Sequence, residues 1–204
     1  MPLVKGVLFD IGGVLLQSAN EEIRAVLARW VGGDPRPLRA IFVQEYPAVE
    51  RGQMSEADLQ RLIQERLGLP EPAPVEALAE AWRRGSRPVP AMFELARALK
   101  AHGLRVGLLS NTQHSHVAMM REMGFPAEFD PVIFSCEVNA RKPEPEIYRL
   151  GVERIGLAPA ETLFIDDLAA NVEGARAVGL QAIHHQEPAA TIAAVRALVG
   201  LPPV

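Results

Sequence analysis

The feature that most constrains the fold is an apolar run that ends in a carboxylate and a glycine turn. Residues 4–9 are mostly apolar, with two valines, and Asp10 follows them shortly before Gly12 and Gly13. This pattern predicts a buried strand that delivers Asp10 into a tight turn at its carboxyl end. Because ligands of open α/β sheets bind beyond the carboxyl ends of central strands, Asp10 is the first candidate site residue. Taken alone, it could equally cap the strand or the turn.

The segment 17–88 shows helical spacing. In its first helix the apolar positions recur at Ile23, Val26, Leu27 and Trp30. A capping box at Ser55 begins another helix, and prolines mark the breaks and the exit of the segment. No convincing strand pattern interrupts it. We therefore predict a helical insertion at 17–88, within a core made of residues 1–16 and 89–204.

Beyond the insertion, strand and helix patterns alternate. Apolar strands are predicted near 104–109, 132–134, 162–165 and 181–184, and each is followed by a helical pattern. Such alternation predicts a parallel sheet with helices on both faces, joined by right-handed crossovers. The fold class is therefore α/β, with a parallel sheet as its core and a helical segment inserted after the first strand.

The carboxyl ends of the strands carry polar residues that a parallel sheet would bring to one edge. They are Asp10, Ser110, Asn111, Asp166 and Asp167, together with the loop that bears Lys142. Three carboxylates around one point cannot all stay ionised without a cation, and an all-oxygen set suits Mg²⁺. A carboxylate can act as a nucleophile, Lys142 supplies positive charge for a phosphoryl group, and a Ser-Asn pair supplies hydrogen-bond donors. We predict phosphoryl transfer from a small phosphorylated substrate.

Charge, hydropathy and cysteine content disfavour several classes of partner and location. The net charge is −4 and the basic residues are scattered, which disfavours a nucleic-acid partner. No apolar run reaches the length of a membrane span, and no cleavage site follows the first one. The lone Cys136 cannot form an intrachain disulfide and fits a reducing compartment. We predict a cytoplasmic protein with no membrane partner; the sequence does not determine its oligomeric state.

Four short motifs, in order along the chain, resemble those of the haloacid dehalogenase-like hydrolases. They are Phe9–Leu15, Leu108–Thr112, Arg141–Pro143, and Phe164–Asp167 with Asn171 and Gly174–Arg176. The resemblance covers about residues 4–185 and is nearest to the phosphatase domain of soluble epoxide hydrolases and to small sugar-phosphate phosphatases. It implies a Rossmann-like core, Mg²⁺, and a cap of the family's first type formed by 17–88.

The same resemblance assigns roles to the residues at the sheet edge. It implies Asp10 as the nucleophile, with Lys142 beside it in catalysis. Ser110, Asn111 and Lys142 would bind the phosphate. The metal would be held by Asp10, the backbone carbonyl of Gly12, Asp167 and Asp166.

Gly12 is the one departure from the family pattern. Phosphatases of the family usually carry a second acid at this place, which protonates the leaving group and then activates water. Losing a general acid or base costs about 10²- to 10⁴-fold in rate. We therefore expect slow turnover, restriction to good leaving groups, or rescue by another residue. His114 and His116 are candidates for rescue, although a surface position at the start of a helix is the favoured interpretation of both.

Three alternatives follow from Gly12. A 2-haloacid dehalogenase needs no acid here, but it needs no metal either, which leaves Asp166 and Asp167 unexplained. Phosphonate hydrolysis in this family uses a cap lysine, and 17–88 contains none, so it is set aside. A non-catalytic protein that binds a metabolite or phosphate, or an interaction protein, stays open. The substrate is not determined by the sequence; Gln17, Arg51 and Gln53 are candidates for contacting it.

Overall fold

The computed structural model describes residues 3–202, and the strands within that range form one parallel sheet. They are β1 (Gly6–Phe9), β2 (Arg105–Ser110), β3 (Val132–Phe134), β4 (Thr162–Asp166) and β5 (Gln181–His184). The order across the sheet is β3-β2-β1-β4-β5, and all four neighbouring pairs are parallel. The predicted Rossmann-like α/β fold is therefore confirmed, with β1 at its centre.

Helices connect the strands, as the alternating pattern predicts. They are α1 (Asn20–Val31), α2 (Arg36–Glu50), α3 (Glu56–Leu67), α4 (Val75–Gly85), α5 (Pro90–Ala101), α6 (His114–Glu122), α7 (Ser135–Val138), α8 (Pro145–Ile155), α9 (Ala169–Ala177) and α10 (Pro188–Val199). Ser55 caps α3 by accepting the Asp58 amide at 3.0 Å, and Pro145 occupies the first turn of α8. Helix α7 was not predicted, because four residues are too few to show a period.

Helices cover both faces of the sheet, which explains why β1 reads as a continuous apolar run. Side chains alternate along a strand, so Val7 and Phe9 pack into one hydrophobic layer and Leu8 into the other. The first layer contains residues of α5 and α10, and the second contains residues of α8 and α9. A strand buried on both sides holds the residue after it rigidly.

The chain between β1 and α5 folds into the helices α1–α4, and no strand lies among its described residues. These helices share an apolar cluster of their own, made of Leu27, Leu38, Ile41, Val49, Leu59 and Ile63. The chain leaves and rejoins the core through adjacent segments: the Gln17 amide donates to the Arg87 carbonyl at 2.7 Å, and the Val89 amide donates to the Leu15 carbonyl at 2.8 Å. The division at 16/17 and 88/89 stays a prediction.

Over residues 3–202, none of the helices has the length and apolar character needed to cross a bilayer.

Candidate active site

The central position of β1 brings three aspartates together. Phe9 lies level with Ile165 of β4, and the Asp10 amide donates to the Ile165 carbonyl at 2.9 Å. Asp10 and Asp166 therefore leave neighbouring strands side by side, and Asp167 follows at once. One carboxylate oxygen from each of the three lies within 4.8 Å of the others. The structure thus brings together the three acids that the sequence assigned to one site.

Lys142 reaches these acids from the loop between α7 and α8. Its Nζ lies 2.8 Å from Asp10 Oδ1 and 2.6 Å from Asp166 Oδ2, and its side chain is only 1% exposed. Burial favours the neutral amine, but the charges of Asp10 and Asp166 outweigh it and raise the pKa of Lys142. The lysine is therefore a fixed positive charge at the sheet edge.

Asn111 holds the backbone of Lys142 in place. Its Nδ2 donates to the Lys142 carbonyl at 2.9 Å, and the Lys142 amide donates to its Oδ1 at 2.8 Å. Both ends of the Asn111 amide thus face the lysine, which the sequence did not reveal. Ser110, the last residue of β2, is buried on the strand next to β1.

Asp166 is fully engaged by the protein. Oδ1 accepts the Leu168 amide at 2.8 Å and Asn171 Nδ2 at 2.9 Å, while Oδ2 accepts Lys142 Nζ. The Asn171 carbonyl in turn accepts the Tyr148 hydroxyl at 2.8 Å. Asn171 belongs to the fourth motif, but no role had been predicted for it; its position five residues after Asp166, in the first turn of α9, was the available signal.

Asp167 is held differently. Within residues 3–202 no other side chain donates a hydrogen bond to its carboxylate, which is half-buried. Burial, with the charge of Asp166, raises the pKa of Asp167. Its carboxylate lies against Gly13, which has φ +79°, and a Cβ at Gly13 would collide with it. Gly13 must therefore be glycine, and Asp167 has oxygen atoms free for a ligand.

The charges of the cluster do not balance. Three carboxylates face one lysine, and burial raises the pKa of Asp10 to about 7, with Lys142 opposing and Asp166 reinforcing the shift. A cation near these oxygen atoms would favour the ionised form of Asp10. An all-carboxylate set that leaves room for further oxygen ligands fits a hard divalent ion such as Mg²⁺.

Gly12 leaves open space where the family's acid stands. It is exposed, its φ lies outside the left-handed region, and no heavy atom of the described residues beyond its chain neighbours lies within 4 Å of the position of a Cβ. No neighbouring side chain therefore occupies the place of the missing acid.

The two histidines after the second motif differ in environment. His114 is exposed, as expected, but the surface position expected for His116 is wrong. His116 is partly buried and stacks on Trp82 with ring centroids 4.8 Å apart, and burial lowers its pKa to about 4. It is neutral at pH 7 and held by packing.

Two of the three candidate substrate-contacting residues are engaged with the Lys142 loop instead. The Arg51 guanidinium pairs with Glu144, and Gln53 Nε2 donates to Asn139 Oδ1 at 2.8 Å. Gln17 is exposed.

A second ion pair reaches the same loop from the end of α2. Arg141 Nε lies 2.6 Å from Glu50 Oε2, and the Arg141 amide donates to Glu144 Oε2 at 3.0 Å. Residues 50–53 of the insertion therefore hold the loop on both sides of Lys142.

Comparisons of the sequence and of the structure with known proteins indicate the same family. A model of haloacid dehalogenase-like hydrolases matches residues 4–179. A sesquiterpene phosphatase of Aspergillus oryzae is 30% identical over 200 residues, which cover 96% of this chain and 97% of that protein. A phosphoglycolate phosphatase of Escherichia coli O157:H7 is 27% identical over 202 residues, which cover 88% and 80%.

Among solved structures, a family enzyme from Bacteroides thetaiotaomicron in complex with magnesium and inorganic phosphate superposes with a TM-score of 0.71. It is 26% identical, and the match covers 90% of this chain and 94% of that one. The similarity therefore extends over the insertion as well as the sheet.

Proposed function

The chain belongs to the haloacid dehalogenase-like hydrolases, and we propose that it is a Mg²⁺-dependent phosphatase of a small phosphorylated molecule, with Asp10 as nucleophile. The observation that carries the proposal is the convergence of Asp10, Asp166 and Asp167 within 4.8 Å, with Lys142 between the first two. The relatives named as phosphatases, and the related structure with magnesium and phosphate, support the same reaction.

In the proposed reaction a carboxylate oxygen of Asp10 forms a bond to phosphorus while the ester oxygen departs with its electron pair. Asp10 then carries the phosphoryl group as an acyl phosphate, and water hydrolyses it to release phosphate. Lys142 stays protonated and neutralises charge on the phosphoryl oxygens, and the Ser110 hydroxyl donates to one of them. Asp10, Asp167 and the Gly12 carbonyl, with Asp166 beside them, would hold Mg²⁺, which would supply further charge neutralisation.

The departing oxygen needs a proton, and Gly12 offers none. The proton therefore comes from water, so the rate depends on how readily the alcohol leaves without assistance. Aryl phosphates, whose phenolate leaves unprotonated, are therefore the substrates for which we expect the most readily measured turnover.

The test is hydrolysis of an aryl phosphate with Mg²⁺ and with EDTA. We expect turnover with Mg²⁺ and its loss in EDTA, restored by added Mg²⁺. Halide release from 2-chloropropionate, with and without metal, is measured in parallel. Halide release that needs no metal would favour the dehalogenase instead, and Mg²⁺ binding without any turnover would favour a non-catalytic binding protein.

We further propose that 17–88 acts as a cap whose residues 50–53 position Lys142. The Arg51→Met variant removes the Glu144 partner and loosens the loop, so we expect kcat/KM for the aryl phosphate to fall about tenfold, because small displacements of a catalytic group are costly. Arg51→Lys should retain part of the activity. Arg149→Met, which breaks an exposed ion pair with Glu146 on α8, is the matched control and should match wild type. Equal kinetics for Arg51→Met and Arg149→Met would contradict the positioning role.

A further inference from the structure

A cavity of about 560 Å³ lies between helices α1–α4 and the first turns of α6. Its lining is dominated by apolar side chains, among them Ile23, Leu27, Phe42, Ile63, Leu78 and Met119. The volume falls within the range of small-molecule sites, and it has room for on the order of 15 groups the size of a water molecule or methylene.

The few charged side chains of the lining contact other groups of the protein. Glu56 accepts the Ser115 hydroxyl, and Arg83 lies 3.8 Å from Glu80. His116, stacked on Trp82, is neutral at pH 7 because burial lowers its pKa to about 4. The chemistry of the wall therefore suits an uncharged hydrocarbon.

One lining residue of the cavity, Gln113, lies close in the chain to the proposed phosphate site. Gln113 lines the cavity and follows Ser110 by three residues, which limits their Cα separation to about 11 Å. Tyr46 also lines it and donates its hydroxyl to Gln113 Oε1 at 2.8 Å.

A second connection runs through α2. Tyr46 and Glu50 lie four residues apart on α2, and so on the same face of the helix. Glu50 in turn pairs with Arg141, the residue before Lys142. The lining residues Gln113 and Tyr46 thus connect the wall of the cavity to the segments that carry Ser110 and Lys142.

We propose that this cavity binds the alcohol portion of the substrate, and that this portion is a long aliphatic chain, so that the substrate is an alkyl-type phosphate monoester. The inference rests on the proposed phosphatase function. The Tyr46–Gln113 pair forms the polar boundary between the chain and the phosphate.

Binding of the chain also addresses the missing acid at Gly12. An alkyl alcohol is a poor leaving group, and without a proton donor its departure is slow. Binding energy gained far from phosphorus can offset part of this cost, because remote contacts can be used to position and desolvate the reacting group. A substrate with a long chain therefore suits a site that has no general acid for the leaving group.

The test is a series of n-alkyl phosphates from ethyl to dodecyl, each kept below the concentration at which it forms micelles. We expect kcat/KM to rise by up to about fourfold per methylene and to level off once the cavity is filled. Glycerol phosphate and phosphoglycolate should stay near ethyl phosphate. A flat series, or a preference for the polar esters, would overturn the inference.

Cavity variants check where the chain lies. Ala79 lines the cavity on α4, whereas Ala77 on the same helix is exposed and lies outside the lining. Ala79→Phe should lower the dodecyl-to-ethyl ratio of kcat/KM at least about tenfold, and Ala77→Phe should leave it unchanged. Ala118→Phe, at an exposed lining position of α6, provides a second obstruction if Ala79→Phe does not fold. An unchanged ratio in both lining variants would overturn the inference.

Binding without turnover separates this inference from the proposed function. Dodecylphosphonate, which cannot be hydrolysed, is titrated calorimetrically into wild type and Ala79→Phe with Mg²⁺ present. Binding with a negative heat-capacity change, weakened by Ala79→Phe, supports the apolar site even if no phosphate ester is hydrolysed. Mg²⁺-dependent aryl phosphate hydrolysis with no dodecylphosphonate binding would leave the phosphatase proposal standing and overturn the inference.

Discussion

In the Asp10→Asn variant, Mg²⁺-dependent turnover of an aryl phosphate is expected to fall by at least about 10³-fold, because removing a covalent nucleophile removes the reaction path itself. Asparagine has nearly the same shape as aspartate but cannot attack phosphorus. The measurement is single-turnover and steady-state kinetics on the same aryl phosphate, with thermal unfolding measured alongside. Residual activity within tenfold of wild type would contradict the assignment of Asp10.

The fold should survive this change. Asp10 is buried, and burial raises its pKa to about 7, so its charge is disfavoured in the absence of a cation. Lys142 keeps its 2.6 Å pair with Asp166 in the variant, and so retains a buried counter-charge. Asp34→Asn, at an exposed residue between α1 and α2 that pairs with Arg36, is the matched control and should retain full activity. Loss of folding in Asp10→Asn alone would have to be excluded by its unfolding transition before the kinetics are interpreted.

The Gly12→Asp variant is expected to hydrolyse alkyl phosphates about 10²- to 10⁴-fold faster than wild type, because it restores a general acid for the departing oxygen. The site has room for the new side chain, since no described heavy atom beyond the adjacent residues approaches a Cβ at Gly12 within 4 Å. Aryl phosphates should gain much less, because phenolate leaves without a proton. The ratio of alkyl to aryl kcat/KM is therefore the diagnostic measurement.

Gly13 provides the control for this experiment. It lies next in the chain, has φ +79°, and a Cβ there would meet the Asp167 carboxylate. Gly13→Ala should therefore lose activity, and Gly12→Asp should gain it, although both add atoms to the same turn. A folded Gly12→Asp variant with an unchanged alkyl-to-aryl ratio would show that the wild-type site already protonates the leaving group by another route.

Much of the site could be predicted because its residues belong to patterns of neighbouring residues in the sequence. An apolar run followed by Asp10, and another followed by Asp166 and Asp167, marks two buried strands with acids at their carboxyl ends. Strand and helix alternation implies a parallel sheet, and a parallel sheet brings all such ends to one edge. The hydrophobic period and the sequence of strands and helices along the chain were therefore enough to predict that the acids lie at one edge of the sheet. The order of the strands across the sheet was not needed.

The partners of individual side chains could not be predicted in the same way. Arg51 was a candidate for contacting substrate, yet it pairs with Glu144, which lies 93 residues further along the chain. The His114 and His116 side chains are two residues apart, yet only His116 stacks on Trp82. Such contacts depend on how α2 and α4 of the insertion pack against the core. Amphipathic spacing indicates which face of a helix is buried, but it does not identify the element against which that face packs.

The sequence by itself therefore determined the fold class, the edge of the sheet where the chemistry is concentrated, and the family. These follow from hydrophobic period and from short motifs, which are properties of neighbouring residues. The tertiary structure alone decided that β1 is central, that Asn111 holds the Lys142 backbone, and that an apolar cavity lies between helices α1–α4 and α6. Each of these depends on distances between residues far apart in the chain, and those distances are set by the packing of whole elements rather than by any local pattern.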